Sequence, residues 1–171
     1  MTLKYLPEYA ENARIALDLA QKEMNHLVYT RRTLFAQKID LHWVQSLSER
    51  EDLSEKIDAF VSRFSRLQDH IGEKLIPRFA ALLGDQPKSL LDVLAYAEKL
   101  GWVINAEAFI GARKLRNLLV HEYLLDAELF LESLLTADDA TDMLIDVVKA
   151  ITQYASQLEL TGTMKTDESS V

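Results

Sequence analysis

The 171-residue sequence contains no cysteine, which excludes disulfide frameworks, thiolate zinc sites and cysteine nucleophiles and is compatible with a reducing compartment. Five glycines and three prolines are too few for the many tight turns of a β-sandwich or barrel. No stretch approaches the ~20 apolar residues needed to span a bilayer. The start, Met1-Thr2-Leu3-Lys4-Tyr5-Leu6-Pro7-Glu8, lacks the basic opening and apolar centre of a signal peptide. The expectation is a soluble, cytoplasmic protein with no membrane partner. Positive charge is also scarce: 19 Lys and Arg stand against 27 Asp and Glu, a net charge of −8. That balance excludes a protein that coats nucleic acid nonspecifically, because such binding needs many cations to displace counterions from phosphates. Any RNA contact must be confined to a few arginines in one cleft. The chain has no glycine-rich phosphate loop, no His-Glu-x-x-His zinc helix and no serine nucleophile elbow. Neither a metal nor a cofactor is expected.

What is present is helical periodicity, in a composition that is 49% hydrophobic and 27% charged. From about residue 7 to 36, Tyr9, Ala13, Ala16, Leu17, Ala20, Met24, Leu27 and Val28 recur at the spacing of a long amphipathic helix. Asp40 to Leu47 reads as a connector anchored by Trp43. Ser48 with Glu51 three residues later resembles a capping box opening a second long helix. Its stripe runs from Leu53 through Phe60, Phe64 and Ile71 to Phe79, and Pro77 is expected to kink it or end its regular hydrogen bonding. Gly84-Asp85-Gln86-Pro87 is a turn, Ser89 with Asp92 caps a third helix to about Leu100, and Gly101 closes it. A fourth helix starts near Asn105 and breaks near Leu125-Asp126. Ala127 to Leu135 and Asp138 to Leu158 follow as two helices or one bent helix, with Asp138, Asp139, Asp142 and Asp146 read as an acidic helix start. Residues 161–171 are polar and aperiodic, a disordered tail. The fold class is all-α: residues 1–160 form one domain, an up-and-down bundle of about five to six helices.

On a wheel of about 100° per residue, taking Leu115 as zero groups Ile104, Ala108, Ala112, Leu118 and Leu119 as the core face of the fourth helix. Arg116 then lies about 100° away, Val120 about 140°, Arg113 about 160°, Asn117 about 200° and His121 about 240°. Arg116 and His121 are thus too far apart on one helix to grip one small group. Two copies of this face across a twofold axis would complete a site, so a homodimer is expected. The chemistry suits RNA: histidine can take or give a proton at a ribose 2′-hydroxyl or a leaving oxygen, and arginine offers forked donors to a phosphate gaining charge. Arg113, Lys114, Arg63, Arg66 and His70 would extend a basic rim for RNA. His26 and His42 lack partners at ligand spacing and read as surface histidines.

Arg116 through Tyr123 reads Arg-x4-His-x-Tyr with Asn117 directly after the arginine, and this resembles the signature of HepT-type toxins of the HEPN family. The flanks Gly111-Ala112-Arg113-Lys114-Leu115 and Phe60-Val61-Ser62-Arg63-Phe64-Ser65-Arg66-Leu67 are similar to the family, and the order of helices agrees over roughly residues 7 to 158. The resemblance implies a HEPN-like bundle that dimerises with its motifs facing one another and cleaves RNA without metal, as the toxin of a HEPN/MNT toxin–antitoxin pair. It implies that Arg116 binds the phosphate, that His121 is the acid or base, and that Asn117 orients one of them. It also implies an MNT-type nucleotidyltransferase antitoxin that transfers AMP to Tyr123, placing anionic bulk beside the cleft. The alternative is a non-catalytic HEPN-like interaction module that binds a nucleotidyltransferase partner or a nucleotide.

Overall fold

The structure, a computed structural model, describes residues 4–121 and 125–160, with the backbone alone for His121. Tyr123 and the tail at 161–171 lie outside the described residues. The elements are α1 (Ala10–Leu34), α2 (Leu41–Gln45), α3 (Glu51–His70), α4 (Ile76–Leu82), α5 (Leu90–Lys99), α6 (Ala106–His121) and α7 (Ala127–Gln157). Among the described residues there is no strand, so the protein is an all-α helical bundle. Helix α1 turns Ala10, Ala13, Ala16 and Ala20 inward, and these small side chains let α3 and α7 pack close to its backbone. One buried cluster runs through the bundle, with Phe60, Phe64, Phe79, Phe109 and Phe130 fully enclosed. Burying each such side chain stabilises the fold by about 1.5–3 kcal/mol before chain entropy is counted.

Several local expectations change. The Asp40–Leu47 connector is itself a helical turn: Asp40 caps α2 by accepting from Trp43 N–H at 2.9 Å, and Trp43 is buried. The Ser48–Glu51 capping box does not form, because Ser46–Glu49 is a 3-10 turn and the Ser48 hydroxyl donates to the Gln45 carbonyl. The Ser89–Asp92 box does form, with both reciprocal bonds. The regular hydrogen bonding of the second long helix is interrupted ahead of Pro77, but the helix continues to Leu82. Residues Ile71–Leu75 take one π-helical turn in which the Ile76 N–H reaches back five residues to the Ile71 carbonyl. This wider turn accommodates a ring that lacks a donor and would crowd the carbonyl four residues earlier. Residues 127–157 form one helix, α7, capped by the Asp126 side chain on Leu129 N–H.

Asp138 and Asp142 therefore lie in mid-helix, where an end dipole cannot account for them. They grip Arg31 of α1 instead: Nε donates to Asp138 Oδ1 at 2.7 Å, and the two terminal nitrogens donate to the Asp142 carboxylate at 2.6 and 3.0 Å. Their spacing of four puts both on one face of α7, and the fork pins α1 to α7.

Two tests follow from this packing. A Cβ at Gly72 in the π turn would sit 3.2 Å from Leu90 Cδ1 and 3.6 Å from Phe109 Cε1, so Gly72→Leu lowers the unfolding free energy by about 1–3 kcal/mol in a denaturant titration. Gly72→Ala costs less, since the end of Leu90 can yield and alanine gains about 1 kcal/mol of helix propensity. The hydrogen bond from Arg31 holds the Asp142 carboxyl below its ordinary 3.8. A lowered folded-state value stabilises above the unfolded value and is lost as pH falls through the folded one. Asp142→Asn thus destabilises by less than about 1 kcal/mol at pH 7, because the carboxylate is largely exposed, and melting curves of the two proteins converge below about pH 3.8.

Candidate functional site

Helix α6 is fixed at its start by two side chains: Glu98 accepts from Ala106 N–H at 2.9 Å and Asn105 from Ala108 N–H at 3.1 Å. Its buried face is Phe109, Ala112 and Leu119, with Ile110 and Leu115 partly covered. This differs from the expected face. Ile104 is 88% exposed and precedes the helix, and Ala108 is exposed. Phe109 is the largest apolar side chain here and sits about 120° from Leu115, so it turns the buried arc toward Arg116 at about 100°. Arg116 consequently lies over the flank of the core face and reaches α3.

There its Nη1 donates to Asp69 Oδ2 at 2.7 Å, with the arginine side chain 45% and the aspartate 29% exposed. Its other two nitrogens bond nothing among the described residues. One turn earlier, Arg113 stands 4.0 Å from Glu73. Between α3 and α6 runs a groove of about 320 Å³ whose lining includes Ser65, Arg66, Asp69, Arg116 and Val120. Ser65 is buried, and its hydroxyl has neither a partner nor contact with solvent. Below it Gln68 ties the helices together, donating to the Phe109 carbonyl at 3.0 Å.

Of the residues read as a basic rim, Arg66 alone joins Arg116 in this groove. Arg63 faces the other side of α3 and donates to the His26 carbonyl at 3.1 Å and to the buried Thr30 hydroxyl of α1. His70 is not a rim residue. It is 6% exposed, and its Nε2 lies 2.7 Å from the Ala16 carbonyl; a carbonyl only accepts, so that nitrogen carries a proton and donates. Its place on the stripe between Leu67 and Ile71 buries it. Lys114 and Asn117 are exposed on α6, and His121 is the helix's last residue. Asp69 and Ser65 were not singled out from sequence. Ser62, Arg66 and Asp69 do fall on one helical strip, but the pairing of Asp69 with Arg116 spans 47 residues and has no local signal.

Comparison with protein-family profiles, curated proteins and solved structures returns no match to this chain. Among the described residues no group of three His, Cys, Asp or Glu is placed to hold a metal, and no helix is long and apolar enough to cross a membrane.

His70→Ala removes the imidazole donor to the Ala16 carbonyl, which keeps its helical bond, and leaves a buried void, and it is expected to cost about 1–3 kcal/mol by thermal or chemical denaturation. Arg66→Gln, at an exposed position, is expected to leave stability within about 0.5 kcal/mol.

Proposed function

We propose that the protein is a HEPN-type ribonuclease of the HepT kind, a toxin that cleaves RNA without metal as a homodimer and is restrained by a nucleotidyltransferase antitoxin. The observation that carries this reading is the Arg116 guanidinium at the mouth of the α3–α6 groove: held from one side by Asp69, with donors to spare, beside Arg66 and the unpartnered Ser65 hydroxyl. An arginine held in this way is pre-oriented for a phosphate while remaining open to solvent. The motif from Arg116 to Tyr123 and its place in an all-helical bundle add to that observation.

In this reading the 2′-oxygen attacks its own phosphorus, the bond to the 5′-oxygen breaks, and a 2′,3′-cyclic phosphate remains. One His121 of the dimer accepts the 2′-hydroxyl proton and the other protonates the departing 5′-oxygen. Arg116 stabilises the charge gathering on the phosphate oxygens, and Asn117 orients one of these groups. Tyr123, two residues after His121, is where an AMP adduct would block the cleft.

The second reading, a HEPN-like module that docks a nucleotidyltransferase or a nucleotide, is favoured by two features near the same groove. Asp58 and Asp69 offset its arginines, and Val120 at its edge leaves apolar surface 46% exposed.

Incubation of the purified protein with total RNA and tRNA in EDTA decides between them. The wild type is expected to cleave and to leave cyclic phosphate ends, while Arg116→Ala and His121→Ala each lower the rate by at least about a hundredfold with unchanged circular dichroism. Intact RNA in every sample would instead favour the docking module.

A further inference from the structure

A second polar pocket lies on the opposite flank of α3, against α1. It is lined by Glu23, His26, Arg63 and Arg66 and has a volume of about 150 Å³. Glu23 and His26 are three apart on α1, and Arg63 and Arg66 are three apart on α3, so each pair shares a helix face. The two faces look at each other across the pocket.

Three features separate this cluster from ordinary surface charge. Neither Arg63 nor Arg66 has a carboxylate within 4.0 Å among the described residues, a state shared with Arg14, Arg32 and Arg78, but only these two line one pocket together. Arg63 is braced by the His26 carbonyl and the Thr30 hydroxyl, so little side-chain freedom is lost when its remaining donors are engaged. Glu23 has its Oε2 shielded from solvent with no donor, although it lines a pocket with two guanidinium groups. A carboxylate stripped of part of its hydration gains strongly from a donor. The arginines do not supply one, since neither lies within ion-pair distance of Glu23; with Oε2 closed to solvent, a hydroxyl entering the pocket can reach the carboxylate only at its other oxygen.

Two guanidiniums against one carboxylate make the pocket locally cationic on a chain whose net charge is −8. It therefore selects an anion, and Glu23 adds the requirement that the anion carry a hydroxyl. The pocket is large enough for a phosphate with a neighbouring carbinol group. We propose that the α1–α3 pocket is a binding site for a phosphomonoester of a pentose, its phosphate on Arg63 and Arg66, its hydroxyl donating to Glu23, and His26 at the rim. A free sugar phosphate and the phosphorylated end of an RNA present the same chemistry. This inference does not depend on the ribonuclease reading, because the pocket shares only Arg66 with the Arg116 groove.

The test is calorimetric titration of the full chain with ribose 5-phosphate, inorganic phosphate and ribose, and of its His121→Ala variant, which is not expected to cleave, with a 5′-phosphorylated ribotrinucleotide that keeps its 2′-hydroxyls. Ribose 5-phosphate is expected to bind one per chain and at least about tenfold more tightly than phosphate or ribose. Glu23→Gln and Arg63→Gln should each weaken it at least about tenfold, with Arg116→Ala and His121→Ala having no effect. Tighter binding of the trinucleotide than of ribose 5-phosphate assigns the pocket to RNA ends, and the reverse assigns it to a free metabolite. Absence of binding, equal binding of inorganic phosphate, or binding insensitive to Glu23→Gln would overturn the proposal. Loss of binding in Arg116→Ala would move the ligand to the other groove. Because Arg63 also braces α1, Arg66→Gln at an exposed position gives the same reading if Arg63→Gln fails to fold.

Discussion

The burial of α3 sets the position of Ser65, Arg66 and Asp69, the groups against which Arg116 of α6 is held. Phe60, Phe64 and Leu67 are wholly enclosed, and α3 packs on α1, α6 and α7, so its orientation about its own axis is fixed by the core. The polar residues on its outer flanks follow from that orientation. One flank presents Ser65, Arg66 and Asp69 to α6, and the other presents Arg63 and Arg66 to α1. Arg66 stands between the two grooves. The π turn that carries the chain past Pro77 keeps this arrangement continuous, and the lack of a side chain at Gly72 lets Leu90 and Phe109 close over it.

Much of this was legible in the residues, and the limits of that legibility are physical. Helical spacing located the long elements, and Ser89 with Asp92 announced its helix start, because both are signals within a few residues of chain. Ser48 with Glu51 carried the same local pattern and failed, since the buried Trp43 and Leu47 draw that segment into short turns. The acidic run from Asp138 has the local pattern of a helix start, yet its Asp138 and Asp142 are the partners of Arg31, more than 100 residues away in the chain. Such pairings leave no trace in local pattern.

The site divides in the same way. Helical spacing turns Arg116 outward, and it is exposed, but its reach toward α3 depends on Phe109, the side chain that sets the rotation of α6. His70 looked like a polar rim residue, but its neighbours Leu67 and Ile71 place it on the apolar stripe, where a main-chain carbonyl satisfies it. Asp69 gained its importance only when the fold brought α6 beside α3. An ion pair at this distance orients the arginine and would compete with any anion for it.

The central claim is that Arg116, with Arg66, receives phosphate in the α3–α6 groove. Its most direct measurement is the nuclear magnetic resonance of arginine side-chain Nε–H groups during titration with an uncleavable 2′-deoxy oligonucleotide analogue. The account predicts that the Arg116 and Arg66 signals move together and saturate while that of Arg31, locked to Asp138 and Asp142, stays in place. Stationary Arg116 and Arg66 signals at saturating ligand, or shifts confined to arginines outside the groove, would contradict it.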